Sequence, residues 1–140
     1  MAMNRREARR AAFELLFETE FKSTEAREDI FDLSLEVREI EANPYIKSVY
    51  FGVAEHLEEI DALIGKHAKG WKTARISRVS RSILRLSIFE MRYLSDDVPA
   101  SVSINEAVEL CKTFDEESAR PFVNGILHSV KEELSGTQHA

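Results

Sequence analysis

The stretch NPYIKSVYFGVAEHLEEIDALI, residues 43 to 64, decides the fold class. Ile46, Tyr50, Val53, Leu57, Ile60 and Ile64 succeed one another at steps of four, three, four, three and four. That spacing follows the turn of an α-helix and puts all six side chains on one side, so the stretch reads as helix with a core-facing stripe. Its start is marked chemically: Asn43 offers an acceptor to the first free amides, and Pro44 suits the first helical position, where no amide hydrogen is needed.

Similar intervals recur on both sides. A first helix is expected from Asn4, its cap, to Phe21, and a second from Glu25 to Glu39 with Ile30, Leu33, Val37 and Ile40 inward. Gly65 and Gly70 loosen the chain around Trp71. A helix then runs from Ser77 to Ser95, with Val79, Ile83 and Leu86 on one face and Leu84, Ile88 and Met91 beside them. Ser103 to Glu106 reads as a capping box opening a helix through Val108, Cys111 and Phe114. A last helix carries Phe122, Ile126, Leu127, Val130 and Leu134, stops at Gly136 and leaves Thr137 to Ala140 as a tail. With only 3 Pro and 5 Gly in 140 residues and no sustained alternation, the chain reads as one all-α domain spanning residues 1 to 140.

Composition narrows the function classes. A hydrophobic fraction of 44% and a charged fraction of 31% describe a globular chain. The apolar runs are far shorter than a membrane span needs, and the basic, polar start does not resemble a signal peptide, so a cytoplasmic protein without a membrane partner is expected. The single cysteine, Cys111, falls on an inner helix face and reads as a core thiol. His56, His67, His128 and His139 lack metal-site spacing, and the glycines are too scattered for a phosphate-binding loop. No catalytic set, metal or cofactor is therefore expected. Glu55, Glu58 and Glu59 read as a solvated face, whereas Glu90 stands in apolar register and needs a partner, for which Arg92, Arg120 or a helix cap are the expectations.

The net charge of −6 hides a strong segregation. Between Asp61 and Glu90 there is no acidic residue, but Lys66, Lys69, Lys72, Arg75, Arg78, Arg81 and Arg85 are all basic. Arg5, Arg6, Arg9 and Arg10 crowd the start of the first helix within an arc of about 140°. Cations at a helix N-terminus oppose the dipole, and arginine suits forked contact with phosphate and stacking on bases, so this arc is the candidate RNA surface. Arg78, Arg81, Arg85 and Arg92 align within about 60° and are expected to extend that track or to meet acidic groups of a partner. Phe13, Phe17 and Phe21 continue the arginine side; Phe13 and Phe21 are expected inside, and Phe17 at a contact surface.

Four segments, RREARRAAFELLF (5–17), ILRLSIFE (83–90), SINEAVELCKTF (103–114) and FVNGIL (122–127), with Trp71 between the first two, resemble the NusB family of bacterial antitermination factors. The resemblance covers nearly the whole chain and implies about seven helices in two small bundles. It implies binding of single-stranded boxA RNA in ribosomal RNA transcripts together with NusE, a small-subunit ribosomal protein, and entry into an RNA polymerase antitermination complex. By the same resemblance Arg5, Arg6 and Arg9 are the RNA contacts, with Arg120 and Phe122 as weaker additions. Phe17 stands where the family commonly has a tyrosine facing NusE, and Ser80 and Ser118 stand where an acidic residue near the protein partner or RNA is frequent.

Two other readings compete. One is a helical protein-interaction or homodimerisation module without RNA affinity of its own, its basic faces meeting acidic partners or a second copy. The other is the similar helical module at the front of certain RNA methyltransferases, for which 140 residues leave no catalytic domain.

Overall fold

The computed structural model describes residues 3–21, 27–40, 43–70 and 75–139, with the side chains of 19–21 and 137–139 left aside. It contains α1 (Arg5–Phe21), α2 (Arg27–Val37), α3 (Pro44–Glu55), α4 (Leu57–His67), α5 (Arg78–Tyr93), α6 (Ala100–Phe114) and α7 (Ala119–His139), and no strand among the described residues. The expectations for Glu25, Trp71, Lys72 and the Phe21 side chain lie outside the described residues.

The expected starts of α1 and α3 form as the sequence indicates. Asn4 and Glu7 close a reciprocal box: the Glu7 amide donates to Asn4 Oδ1 at 2.8 Å and the Asn4 amide to Glu7 Oε1 at 3.3 Å. Asn43 Oδ1 accepts from the Tyr45 amide at 2.8 Å and the Ile46 amide at 3.3 Å, with Pro44 filling the first turn.

The stripe of residues 46 to 64 is buried as read, Leu57 only partly, but its helix is interrupted at His56, where φ is −106° and ψ is 19°. The break serves a change of neighbours, since α3 packs on α1 and α5 whereas α4 packs on α5 and α7. Three further expectations are corrected. The buried face of α2 is Phe31, Ser34 and Leu35, while Leu33 and Val37 are 57% and 73% exposed. Phe31 decides this by packing its ring 5.4 Å from Tyr50 and 5.1 Å from Phe51, and the Ser34 hydroxyl donates to Glu18. The Ser103 capping box does not form: α6 starts a turn earlier, with the amides of Val102 and Ser103 bonding back to the Pro99 carbonyl at 3.0 Å. Gly136 likewise does not end α7, which continues to His139.

α5 is the centre of the molecule. Ile83, Leu84, Leu86, Ile88, Phe89 and Met91 bury sides all around it, as a helix sandwiched between layers requires. α1, α2 and α3 form one group and α4, α6 and α7 the other; both pack on α5, chiefly through α1 and α3 on one side and through α4, α6 and α7 on the other. That arrangement fixes the first turns of α1 against the C-terminal half of α5.

Candidate nucleic-acid interface

The four arginines of α1 do not share one environment. Arg5, Arg6 and Arg10 are exposed, but Arg9 turns inward and keeps only 3% of its surface. Its guanidinium forms the expected partner of Glu90, which is fully buried, in place of Arg92 or Arg120: Nε lies 3.0 Å and Nη2 2.9 Å from Glu90 Oε2. Glu90 also accepts from the Tyr45 hydroxyl at 2.7 Å and the Ser103 hydroxyl at 2.8 Å. Since one hydroxyl carries one proton, the Ser103 proton goes to Glu90, and the Ser87 hydroxyl, 2.8 Å away, donates in turn to Ser103. Burial alone pulls the Arg9 pKa down, yet the hydrogen bonds and charge of Glu90 outweigh it and hold the guanidinium above its ordinary value. Burial, and next the charge of Glu90, push the Tyr45 hydroxyl well above its ordinary value, so it stays a donor.

This network orders the exposed arginines from beneath. The Tyr45 ring, fixed through its hydroxyl, lies under Arg5, whose guanidinium carbon is 4.4 Å from the ring centre. Glu106 accepts from Arg9 Nη1 at 3.3 Å and from Arg6 Nε and Nη2 at 3.0 and 2.9 Å. The hydrogen bond to Glu106, then its charge, raise the Arg6 pKa although the side chain is 74% exposed. Arg10 lies over Phe114 at 5.0 Å and within 3.7 Å of Glu14. Arg6, Arg9, Arg10, Glu106 and Phe114 help to line a recess of about 300 Å³ beside this face. Three forked cations on one ordered surface suit successive phosphates of a flexible strand. Glu106 shares that surface, so a phosphate approaching Arg6 competes with a carboxylate already bound there.

The remaining site residues fall elsewhere. Ser80, Ser118 and Phe122 come together in a second cleft of about 460 Å³ with Asp115. Ser80 is itself buried, and its hydroxyl donates to Asp115 while its amide donates to Ser77 Oγ at 3.1 Å. Ser118 is exposed, and Arg120 is half-buried and 3.3 Å from Glu117. Phe17 is half-buried, its ring 6.3 Å from that of Phe13, which is buried and packs 4.9 Å from Phe114. On the second basic helix face, Arg85 forks onto Asp61 at 2.8 Å on both arms and Arg92 pairs with Glu59, so both have partners within the chain. Glu59 is thus part of an ion pair, not a purely solvated side chain. Cys111 is a core thiol pushed up to about 12 by burial, with Asp115 adding to the rise.

The model of the NusB family matches residues 6–132. The chain belongs to the NusB family. Curated NusB relatives agree over nearly the full length. The transcription antitermination protein NusB of Bacillus pumilus is 41% identical over 132 residues, 94% of this chain and 98% of that protein. Its namesake from Ruminiclostridium cellulolyticum is 43% identical over 130 residues, covering 91% and 88%. Among solved structures, T. maritima NusB superposes with a TM-score of 0.81 at 34% identity, covering 95% of this chain and 94% of that one. A chain of the crystal structure of antitermination factors NusB and NusE in complex with dsRNA gives 0.81 at 29% identity, covering 92% and 96%. The seven-helix, all-α expectation is met, and no helix among the described residues is long and apolar enough to cross a membrane.

Tyr45, Ser103 and Glu106, the supports of the arginine face, could not be picked out from the sequence. Their residue types carry no local signal for that role; only the packing of α1 on α3 and of α1 and α6 on α5 brings them under the arginines. Glu90 did carry one, a carboxylate in apolar register.

Proposed function

We propose that this chain is a transcription antitermination factor that binds boxA RNA of ribosomal RNA transcripts through α1, acts together with NusE, and joins an RNA polymerase antitermination complex in the cytoplasm. It acts by binding alone, without catalysis, and residues 1 to 140 work as one RNA-binding unit. The observation that carries this reading is the trio Arg5, Arg6 and Arg10, exposed together and held by Tyr45, Glu106 and Phe114. Arg9 serves as the strut beneath them, its guanidinium spent on Glu90 and Glu106. Arg120 and Phe122 supply further contacts near the start of α7. The NusE contact falls to Phe17 and to the cleft of Ser118 and Asp115, where Ser80 acts from inside by orienting the Asp115 carboxylate.

The arginine face also carries Glu7, Glu106 and Glu109, so it is complementary to a second copy of itself. A homodimer that hides the RNA site until RNA or a partner arrives is therefore the second reading. Titrating a labelled boxA oligonucleotide against the protein, alone and with NusE, tests both. Salt-sensitive binding that tightens with NusE supports the proposal, and absence of binding in either mixture overturns it. Sedimentation with and without RNA reports the dimer.

A further inference from the structure

A cleft of about 730 Å³ opens between α2, α3 and the C-terminal end of α5, and it shares no lining residue with the arginine face. Its base is aromatic. Phe31 and Phe89 are almost fully buried at 4%, Phe31 packing 5.1 Å from Phe51 and Phe89 5.3 Å from Tyr93. Tyr93 is held in place: its ring stacks on His56 with centroids 4.2 Å apart, and its hydroxyl donates to Glu59 at 2.8 Å. Gly52 permits the arrangement, since a Cβ there would stand 2.3 Å from the Phe89 ring.

The rim is acidic. Glu28, Asp32 and Glu55 are exposed and without an ion pair among the described residues, against Lys47 alone. Aromatic faces and carboxylates both attract cations, and a planar guanidinium answers the two at once. A nucleic-acid strand is repelled by the same rim. Tyr93 of the cleft wall is one of the four exposed large apolar side chains among the described residues. Such exposure favours a protein surface over a small cation.

We propose that this cleft docks a basic, arginine-bearing segment of a protein partner. One guanidinium lies against the accessible rings of Phe51 and Tyr93, above the buried Phe31 and Phe89, and neighbouring cations meet Glu28, Asp32 and Glu55. The inference rests on the cleft alone and stands apart from RNA binding by α1.

The test uses the intact chain and fluorescein-labelled (Gly-Arg)4 and (Gly-Lys)4 peptides, read by anisotropy at low salt. (Gly-Arg)4 binds more tightly than (Gly-Lys)4, and Asp32→Asn with Glu55→Gln, both exposed positions, weakens it about tenfold. Tyr93→Leu reduces the preference for arginine over lysine, and Arg5→Ala with Arg10→Ala leaves peptide binding unchanged. Absence of (Gly-Arg)4 binding overturns the proposal, as does equal binding by the Asp32→Asn/Glu55→Gln variant or equal affinity for the two peptides. Displacement of the peptide by a single-stranded oligonucleotide, or self-association of the chain that this double variant abolishes, overturns it in favour of another occupant.

Discussion

Replacing Arg9 by methionine isolates what the buried ion pair does. The substitution keeps an unbranched side chain of similar reach but removes the cation that faces Glu90, leaving the carboxylate with the hydroxyls of Tyr45 and Ser103. Breaking a buried pair from one side costs about 3 to 5 kcal/mol, because the remaining charge is uncompensated. For a chain of 140 residues, about 3 °C of melting temperature accompanies each kcal/mol, so Arg9→Met lowers Tm by roughly 12 °C. Arg9→Met with Glu90→Met regains most of the loss, since an apolar pair of similar volume replaces the ions. Thermal melts of the wild type, both single variants and the double variant at pH 7 measure all of this. A deficit below about 1 kcal/mol for Arg9→Met would show that the pair contributes little to the fold.

Three other outcomes follow from the packing. Gly52→Ala drives a Cβ into the Phe89 ring, and urea unfolding should show a loss of about 1 to 3 kcal/mol. An unchanged midpoint would mean that the ring yields freely. The Cys111 thiol, buried with its pKa raised from 9.0 to about 12, should ignore a chromogenic thiol reagent in the native state at pH 8 and react once denatured. Between pH 9 and 12 the unfolded thiol loses its proton while the folded one keeps it, so stability falls as pH rises through that window. Tyr45 acts in the same direction, and Cys111→Ala should flatten the alkaline slope of the urea midpoint. Asn43→Ala removes the acceptor for two amides at the start of α3 and should cost about 1 kcal/mol, read from the same urea curves.

Much of the architecture was legible because helices announce themselves locally. The stripe from Ile46 to Ile64, the Asn4 and Asn43 caps and the Ser77 start of α5 depend on neighbours within a few residues. The misreadings are of a different kind. Phe31 displaces Leu33 and Val37 from the core because Tyr50 and Phe51 offer it rings, and nothing in α2 itself records that. His56 breaks a continuous pattern because α4 has a different neighbour from α3, which periodicity does not report. Ser103 looks like a cap by its spacing to Glu106, yet both side chains are used on α1 and α5. At the candidate site, charge clustering identified the arginine helix but assigned Arg9 to the surface with its neighbours. Helical spacing gave the angular position, and only the buried carboxylate opposite explains why one of four arginines turns inward.

The proposed division of labour, in which Arg5, Arg6 and Arg10 neutralise phosphates and Arg9 supports them from within, shows itself in the salt dependence of binding to a single-stranded boxA oligonucleotide, measured for the wild type and for Arg5→Ala with Arg10→Ala. Every phosphate that is no longer neutralised makes the log-log slope shallower by about 0.7, so the double variant should bind more weakly with a slope reduced by roughly 1.4. A slope equal to that of the wild type would place the RNA on another surface and contradict the account.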